Sequence, residues 1–351
     1  MTMRRDMIVD WLKTEDPLRL EELWQWADET RRCFAGDEVH LRGLLEISNV
    51  CARQCHYCGL RADNTRIRRY RMTEEEILAC ARQAVAFGYG TVVLQGGEDP
   101  GIDGDWMAGV IRSIKGETPL AVTLSLGERS DDDFALWHEA GADRYLLRFE
   151  TSNRSLYETI HPPVQGRSTD RFAMLRTLKK LGYEIGSGIM IGIPGQTYED
   201  LAGDIEMFRT LDLDMIGVGP FIAHPDTPLG QAADRLNAPA GEQVPNSEEM
   251  TYRVMALARL VCPAANIPAT TALATLNLER GRELGLMRGG NIVMPNLTPR
   301  KYRAMYEIYP AKACIDETAD QCRGCMAGRI HSIGRTVGVG RGDSPKRTLA
   351  A

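Results

Sequence analysis

Residues 44–58 read LLEISNVCARQCHYC. In the first six, 44–49, Leu45 and Ile47 alternate with Glu46 and Ser48, the two-residue period of a β-strand with unlike faces. A loop carrying Cys51, Cys55 and Cys58 follows at once. A strand that delivers potential metal ligands at its C-terminal end suits a parallel α/β fold, in which chemistry gathers at that edge of the sheet.

Working outward, the same unit recurs. Strands are expected at 44–49, 91–95, 120–126, 143–149, 185–191, 213–218, 267–271 and 290–293. Helices are expected at about 74–87, 104–115, 131–140, 169–181, 198–210, 248–261, 279–287 and 300–308. Thr73 with Glu76 forms a capping box, and Gly88, Gly141 and Gly182 stand where helices end. Eight such units predict a (β/α)8 TIM barrel, with a doubly wound sheet as the alternative. The chain then divides into an N-terminal helical segment (1–40, helices near 3–13 and 18–34), the barrel (41–310), a cysteine-bearing extension (311–333) and a Gly- and Arg-rich tail (334–351) expected to be mobile.

The strand faces point to the lumen. Tyr145, Leu147 and Phe149 share one face of the fourth strand, and Arg144, Leu146, Arg148 and Glu150 the other. The third strand sets Val122, Leu124 and Leu126 against Thr123 and Ser125. A barrel filled only for stability carries layers of Val, Ile and Leu, so this polar interior indicates an internal ligand. The competing reading is a structural ion pair among Arg144, Arg148 and Glu150.

The chain has 351 residues, 43% hydrophobic and 26% charged, with a formal net charge of −6. That balance argues against a nucleic-acid partner, which needs a basic face. No apolar run is long enough to span a membrane, so a soluble cytoplasmic protein is expected. Nine cysteines are too few for a disulfide scaffold, and an odd number cannot all pair. Cys33, Cys80 and Cys262 stand alone and read as packing residues; the other six form two groups.

Thiolates are soft ligands for iron-sulfur clusters or zinc. Three cysteines leave one iron of a cubane open, whereas a zinc site would need His56 as fourth ligand. The C-x3-C-x2-C spacing, with Tyr57 before the last cysteine, resembles the signature of the radical S-adenosylmethionine (SAM) superfamily. Gly96-Gly97-Glu98 resembles its SAM-binding GGE segment, and Gly192-Ile193-Pro194-Gly195-Gln196 the segment along the adenosine. This resemblance implies a 4Fe-4S cluster on Cys51, Cys55 and Cys58. Its open iron would chelate SAM, and reduction would release a 5′-deoxyadenosyl radical.

Within the superfamily, nearly the whole chain resembles the HydE maturases of FeFe-hydrogenase. The stretches EISNVCARQCHYCGLRADN, VVLQGGEDP, AVTLSLGE, GADRYLLRFET, IGIPGQTYEDL, GVGPFIAHPDTPL, IPATTA and MPNLTPRKYRAMYEIYP carry the likeness. It implies SAM contacts from Tyr57, Gln95, Gly96, Gly97, Glu98, Glu150 and Arg171. It also implies a substrate cavity lined by Thr123, Arg144, Arg148, Met215, Thr270, Thr271, Tyr306 and Tyr309, with Arg148, Met215 and Tyr306 closest to the chemistry. The substrate would be a small iron- or cysteine-derived species such as a cysteine-bound iron carbonyl cyanide. The partners would be sister maturases and a reductant, ferredoxin or flavodoxin. Cys314-x7-Cys322-x2-Cys325 would hold an accessory 2Fe-2S cluster, against zinc completed by His331 or plain thiols. Two positions depart from the family: Gly96 replaces its usual serine and Phe149 its usual histidine, and Phe149 is expected to face the helices. Other radical SAM reactions, such as methylornithine synthesis or biotin-type sulfur insertion, and a non-catalytic iron-sulfur electron carrier are the alternative functions.

Overall fold

The computed structural model describes residues 3–164, 169–232, 236 and 238–346. Helices α1 (Arg5–Lys13) and α2 (Pro17–Ala35) come first; Asp16 caps α2 by accepting the Leu18 amide, and Pro17 fills the first turn. Six parallel strands then lie side by side in chain order: β1 (Glu38–Ser48), β2 (Thr91–Gly96), β3 (Ala121–Ser125), β4 (Arg144–Leu146), β5 (Glu184–Ile191) and β6 (Met215–Pro220). Between them run α3 (Glu74–Ala86), α4 (Gly104–Glu117), α5 (Asp131–Glu139), α6 (Arg154–Ile160), α7 (Arg171–Lys180) and α8 (Tyr198–Thr210). The Thr73–Glu76 capping box forms at α3.

The curl closes thinly. After α9 (Pro228–Gln231) and α10 (Glu248–Val261), the expected strand 267–271 is reduced to isolated bridges, Met215 with Asn266 and Pro268 with Ile292. Pro268 has no amide to give a ladder, and Thr270 caps a helix instead, its hydroxyl accepting the Leu273 amide at the start of α11 (Thr271–Leu276). Beyond α12 (Gly281–Met287), β7 (Ile292–Val293) pairs with His40–Leu41 of β1. The result is a TIM-like barrel, regular over six staves and irregular over the closing two. The helix expected at 300–308 stops early, as α13 (Arg300–Arg303), and the 311–333 segment contains α14 (Ala319–Ser332).

Lumen and helix sides separate as the alternation predicts. Leu45, Ile47, Tyr145, Leu147 and Phe149 lie in the core between sheet and helices. The Phe149 ring packs 5.1 Å from that of Phe172 and 5.9 Å from that of Phe208.

Residues 334–346 of the tail, expected to be mobile, are packed on the barrel. Strand β8 (Thr336–Val337) pairs with Glu38–Val39, and residues 341–344 cross the N-terminal end of the barrel. Arg341 pairs with Asp143 at 2.5 Å, and its carbonyl accepts from Thr91 Oγ1 at 2.7 Å. The Gly342 carbonyl accepts from Arg42 Nη2 at 2.9 Å, Asp343 pairs with Arg144, and the Ser344 amide donates to Glu184 Oε1 at 3.1 Å. Glycine here permits contact rather than flexibility: a Cβ on Gly90 would lie 1.8 Å from the Gly340 carbonyl oxygen. Residues 347–351 lie outside the described residues.

Arg144 is wholly buried, and Glu184 holds its Nε at 2.6 Å. Replacing Glu184 by Ala removes one of the two carboxylates that answer this charge and leaves Asp343, so Glu184→Ala should lower the unfolding free energy by about 1–3 kcal/mol, measured by denaturant titration.

Candidate functional site

The opposite, C-terminal edge holds the cysteine loop, which is strapped from several sides. The Ala52 amide donates to the Glu98 carbonyl at 2.9 Å, the His56 amide to Ile160 at 2.8 Å, and the Gly59 amide to Ile308 at 3.0 Å. Arg69 donates to the carbonyls of Asn49, Leu60, Arg61 and Asn64. Gly97 packs on this loop so tightly that a Cβ would lie 2.3 Å from the Val50 carbonyl oxygen and 2.8 Å from Cys51 Cβ. Gly96 differs, for a Cβ there would meet nothing nearer than 3.4 Å.

Burial is the largest influence on all three thiols. It raises Cys51, raises Cys55 well above the ordinary thiol range and pushes Cys58 up to about 12. Thiols in such a place become thiolates when a metal supplies the missing positive charge. Among the described residues, the one set of three or more metal-ligating atoms within 4.8 Å of one another is Glu98, Glu128 and His161. Cys51, Cys55, Cys58 and His56 are therefore not gathered as a closed tetrahedral zinc cage requires. Three thiols with no fourth ligand gathered to them among the described residues fit a cluster with one open iron.

Glu98, Glu128 and His161 are themselves already answered by arginine. Arg53 reaches Glu98 at 3.3 Å and Glu128 at 2.9 Å, while Arg171 reaches Glu128 at 2.7 Å and Glu98 at 3.2 Å. The His161 ring lies between the two guanidiniums, 3.1 Å from Arg53 and 2.7 Å from Arg171. A cation added there would face two fixed positive charges. Burial first, then Arg171 and Arg53, lower the His161 pKa to about 2.

Further round the mouth, Arg148 clasps Glu150 through two 2.9 Å hydrogen bonds and also donates to the carbonyls of Gly217 and Ile189. Glu150 adopts φ +60, a conformation disfavoured for a residue with a side chain. Gln95 Nε2 donates to Tyr306 Oη at 3.2 Å. Tyr57 packs on the small core of Leu156, Ile160, Met190, Ile193, Phe221 and Leu229. Gln196 pins the Gly192 segment by accepting its amide at 2.8 Å. Thr270 donates to the Val218 carbonyl beside Thr271, and Tyr309 hydrogen bonds to Thr275.

Two expected cavity residues are placed elsewhere. Arg144 lies at the closed end, its guanidinium committed to Glu184, Thr91 Oγ1 and Asp343, and is not available to a substrate at the mouth. It shares a strand face with Arg148, but four residues of strand separate them by about 13 Å. Met215 is also low in the lumen, where its sulfur accepts from Arg42 Nη1 at 3.0 Å. Thr123, between these levels, is buried with an unpartnered hydroxyl.

In the second cysteine group, Cys314 and Cys322 hydrogen bond to each other, which is the main reason the Cys314 thiol falls to about 6. Arg282 lies 3.5 Å from Cys314 Sγ, and Arg329 3.4 Å from that of the exposed Cys325. His331 is six residues beyond Cys325 on α14 and projects from another face, so the zinc set does not assemble. Sequence reasoning gave no site role to Arg53, Glu128, His161, Glu46 or Lys312. Only Glu46, on the polar face of β1, left a signal.

Residues 45–208 match the radical SAM superfamily model. The [FeFe] hydrogenase maturase subunit HydE of Thermotoga maritima is 46% identical over 95% of this chain and 92% of its own. The 3-methylornithine synthase of Methanosarcina acetivorans is 29% identical over 80% of this chain and 76% of its own. The crystal structure of methylornithine synthase (PylB) superposes with a TM-score of 0.79 at 24% identity, covering 100% of this chain and 97% of that one. The fold and its cysteine mouth are thus those of a radical SAM enzyme, a class that works with a 4Fe-4S cluster and SAM. Within that class, the chain belongs to the HydE family of [FeFe]-hydrogenase maturases. No helix among the described residues is long and apolar enough to cross a membrane.

His161 supplies a pH test. Its folded pKa lies below the ordinary 6.5, so its contribution to stability is present above pH 6.5 and is lost as pH falls towards 2. Between pH 6.5 and 4.5, His161→Gln should remove about 1.4 kcal/mol per pH unit of the wild-type decline, read from denaturant curves across that range.

Proposed function

We propose that this chain cleaves SAM reductively and directs the resulting radical at a small iron- or cysteine-derived substrate inside the barrel, in assembly of the [FeFe]-hydrogenase active site. The observation that carries the reading is the mouth of three cysteines, Cys55 buried and Cys51 and Cys58 partly so, with no fourth ligand gathered to them among the described residues, set over a polar lumen. Cys51, Cys55 and Cys58 would hold the 4Fe-4S cluster. When bound, the cluster supplies one electron to the sulfonium of SAM, releasing methionine and a 5′-deoxyadenosyl radical. Tyr57, Gln95, Gly96, Gly97, Glu98, Glu150 and Arg171 surround the SAM site. The close approach of Gly97 to the cysteine loop leaves backbone rather than side chain facing the ligand.

Thr123, Arg148, Thr270, Thr271, Tyr306 and Tyr309 would line the substrate space, where exclusion of water protects the radical. Arg148 offers a planar donor fork whose present partner, Glu150, is only two residues away, so the fork can be shared with an anionic ligand such as carboxylate or cyanide. A cysteine-bound iron carbonyl cyanide carries such groups. Sister maturases would supply and receive the material, and ferredoxin or flavodoxin the electron. Cys314, Cys322 and Cys325, flanked by Arg282 and Arg329, would hold an accessory 2Fe-2S cluster with a fourth ligand from outside the group.

The reconstituted protein with dithionite and SAM should form 5′-deoxyadenosine, and Cys51→Ala, Cys55→Ala or Cys58→Ala should each reduce this to background. Wild-type enzyme that forms none removes the reading. Replacing Cys314, Cys322 and Cys325 together by serine should preserve SAM cleavage, and its total loss would refute an accessory role. Arg148→Ala should keep the 4Fe-4S absorbance yet lower hydrogenase maturation by about 100-fold or more, scored as hydrogen evolution after in vitro maturation.

A further inference from the structure

Glu46 faces the lumen, because its neighbours Leu45 and Ile47 are packed against the helices. Its side chain is 1% exposed and forms an ion pair with Lys312, itself 5% exposed. Asn296 Nδ2 donates to the same carboxylate at 3.3 Å. The Lys312 ammonium also donates to the Tyr306 carbonyl at 3.3 Å and stands 5.0 Å from the centroid of the Tyr306 ring. In the sheet, Glu46 pairs with Gln95, whose amide holds the Tyr306 hydroxyl. The pair therefore lies in the wall of the proposed reaction space.

A buried ion pair is a poor device for stability alone, since apolar residues of like volume serve as well. The chain nonetheless forms an unusual turn to deliver this one. Ala311 and Cys314, on either side of Lys312–Ala313, take φ +53 and +65, the left-handed region that side chains disfavour. Other lumen positions are also not fully engaged: the Thr123 hydroxyl is buried without a partner, and a Cβ on Gly217 would meet nothing nearer than 3.8 Å. A free anion in that space would meet Glu46, and a free cation would meet Lys312. A molecule carrying both charges on one carbon can satisfy both residues by exchanging their mutual contact for its own.

We propose that Glu46 and Lys312 form a receptor for the head group of an α-amino acid, Glu46 taking the ammonium and Lys312 the carboxylate. The inference rests on the radical SAM reading with its cysteine-derived substrate, and it assigns two residues of this chain to the amino-acid end of that substrate. Two charged groups held side by side give selectivity, since a ligand lacking either charge leaves one protein charge buried and unanswered.

The test titrates S-methyl-L-cysteine, 3-(methylthio)propionate and 2-(methylthio)ethylamine into the reconstituted enzyme with SAM, by calorimetry. The thioether probes carry both charges, the carboxylate alone and the ammonium alone. In the wild type, loss of either charge should weaken binding by about 10-fold or more. In Lys312→Met the advantage of S-methylcysteine over the amine should vanish, and in Glu46→Gln its advantage over the carboxylate should vanish. Wild-type binding of all three probes within about twofold overturns the receptor, as do variants that weaken every probe in parallel, the mark of a merely structural pair. If either variant does not fold, Lys312→Arg and Glu46→Asp replace it, and each must change only the ratio that reports its own charge. 5′-Deoxyadenosine formation without any probe is scored separately. Its absence removes the radical SAM reading, whereas its presence with unselective probes removes the receptor alone.

Discussion

Charge carried into the barrel has to be answered there, and the answers decide where distant parts of the chain go. An unpaired buried guanidinium or carboxylate costs several kcal/mol, comparable with much of a domain's net stability. Arg144 is answered by Glu184 and by Asp343, so the C-terminal residues must return across the floor. Glu46 is answered by Lys312, so the segment after α13 must enter the wall. Arg42 lacks a direct carboxylate partner, and burial pulls its pKa down to about 9, which displays the cost that the others avoid.

This constraint also gives the barrel two unlike ends. At the floor, the ion pairs are closed by the tail. At the mouth, Arg53 and Arg171 bind Glu98 and Glu128 as a lattice beside the cysteine loop, and Arg148 binds its near neighbour Glu150. Pairs formed between neighbours can open to a ligand without unfolding anything, whereas the floor pairs hold the chain terminus. Reactivity belongs at the end where charge can be redistributed.

Much of this was legible in sequence because period and punctuation are local. Alternation placed Glu46, Thr123 and Arg148 in the lumen and Phe149 against the helices, and the Thr73–Glu76 box forms as written. What failed depends on partners remote in sequence. Arg144 and Arg148 look equivalent on one strand face, and only tertiary structure places one at the floor and the other at the mouth. The Gly- and Arg-rich tail resembles a disordered segment by composition, yet its arginine and aspartate side chains have partners nearly two hundred residues away. Lys312 pairs across a separation of 266 residues, which no local pattern reports. Residues 267–271 carried a strand's apolar pattern, but Pro268 and the capping Thr270 turned them into the start of α11.

The adjacent glycines after β2 show how the two kinds of constraint separate. Gly97 is imposed by the scaffold, because any side chain would collide with Val50 and displace the cysteine loop. Gly96 is under no such demand: a serine Cβ would find ordinary contacts 3.4 Å from Leu126 and from the Ser48 carbonyl. Glycine at 96 therefore relieves no clash. It removes a hydroxyl worth about 1 kcal/mol of hydrogen bonding from a position next to Gln95, whose amide already holds Tyr306. Fold and cluster loop are indifferent to that change, so its consequence falls on whatever ligand occupies the space between Gln95, Tyr306 and the Glu46–Lys312 pair.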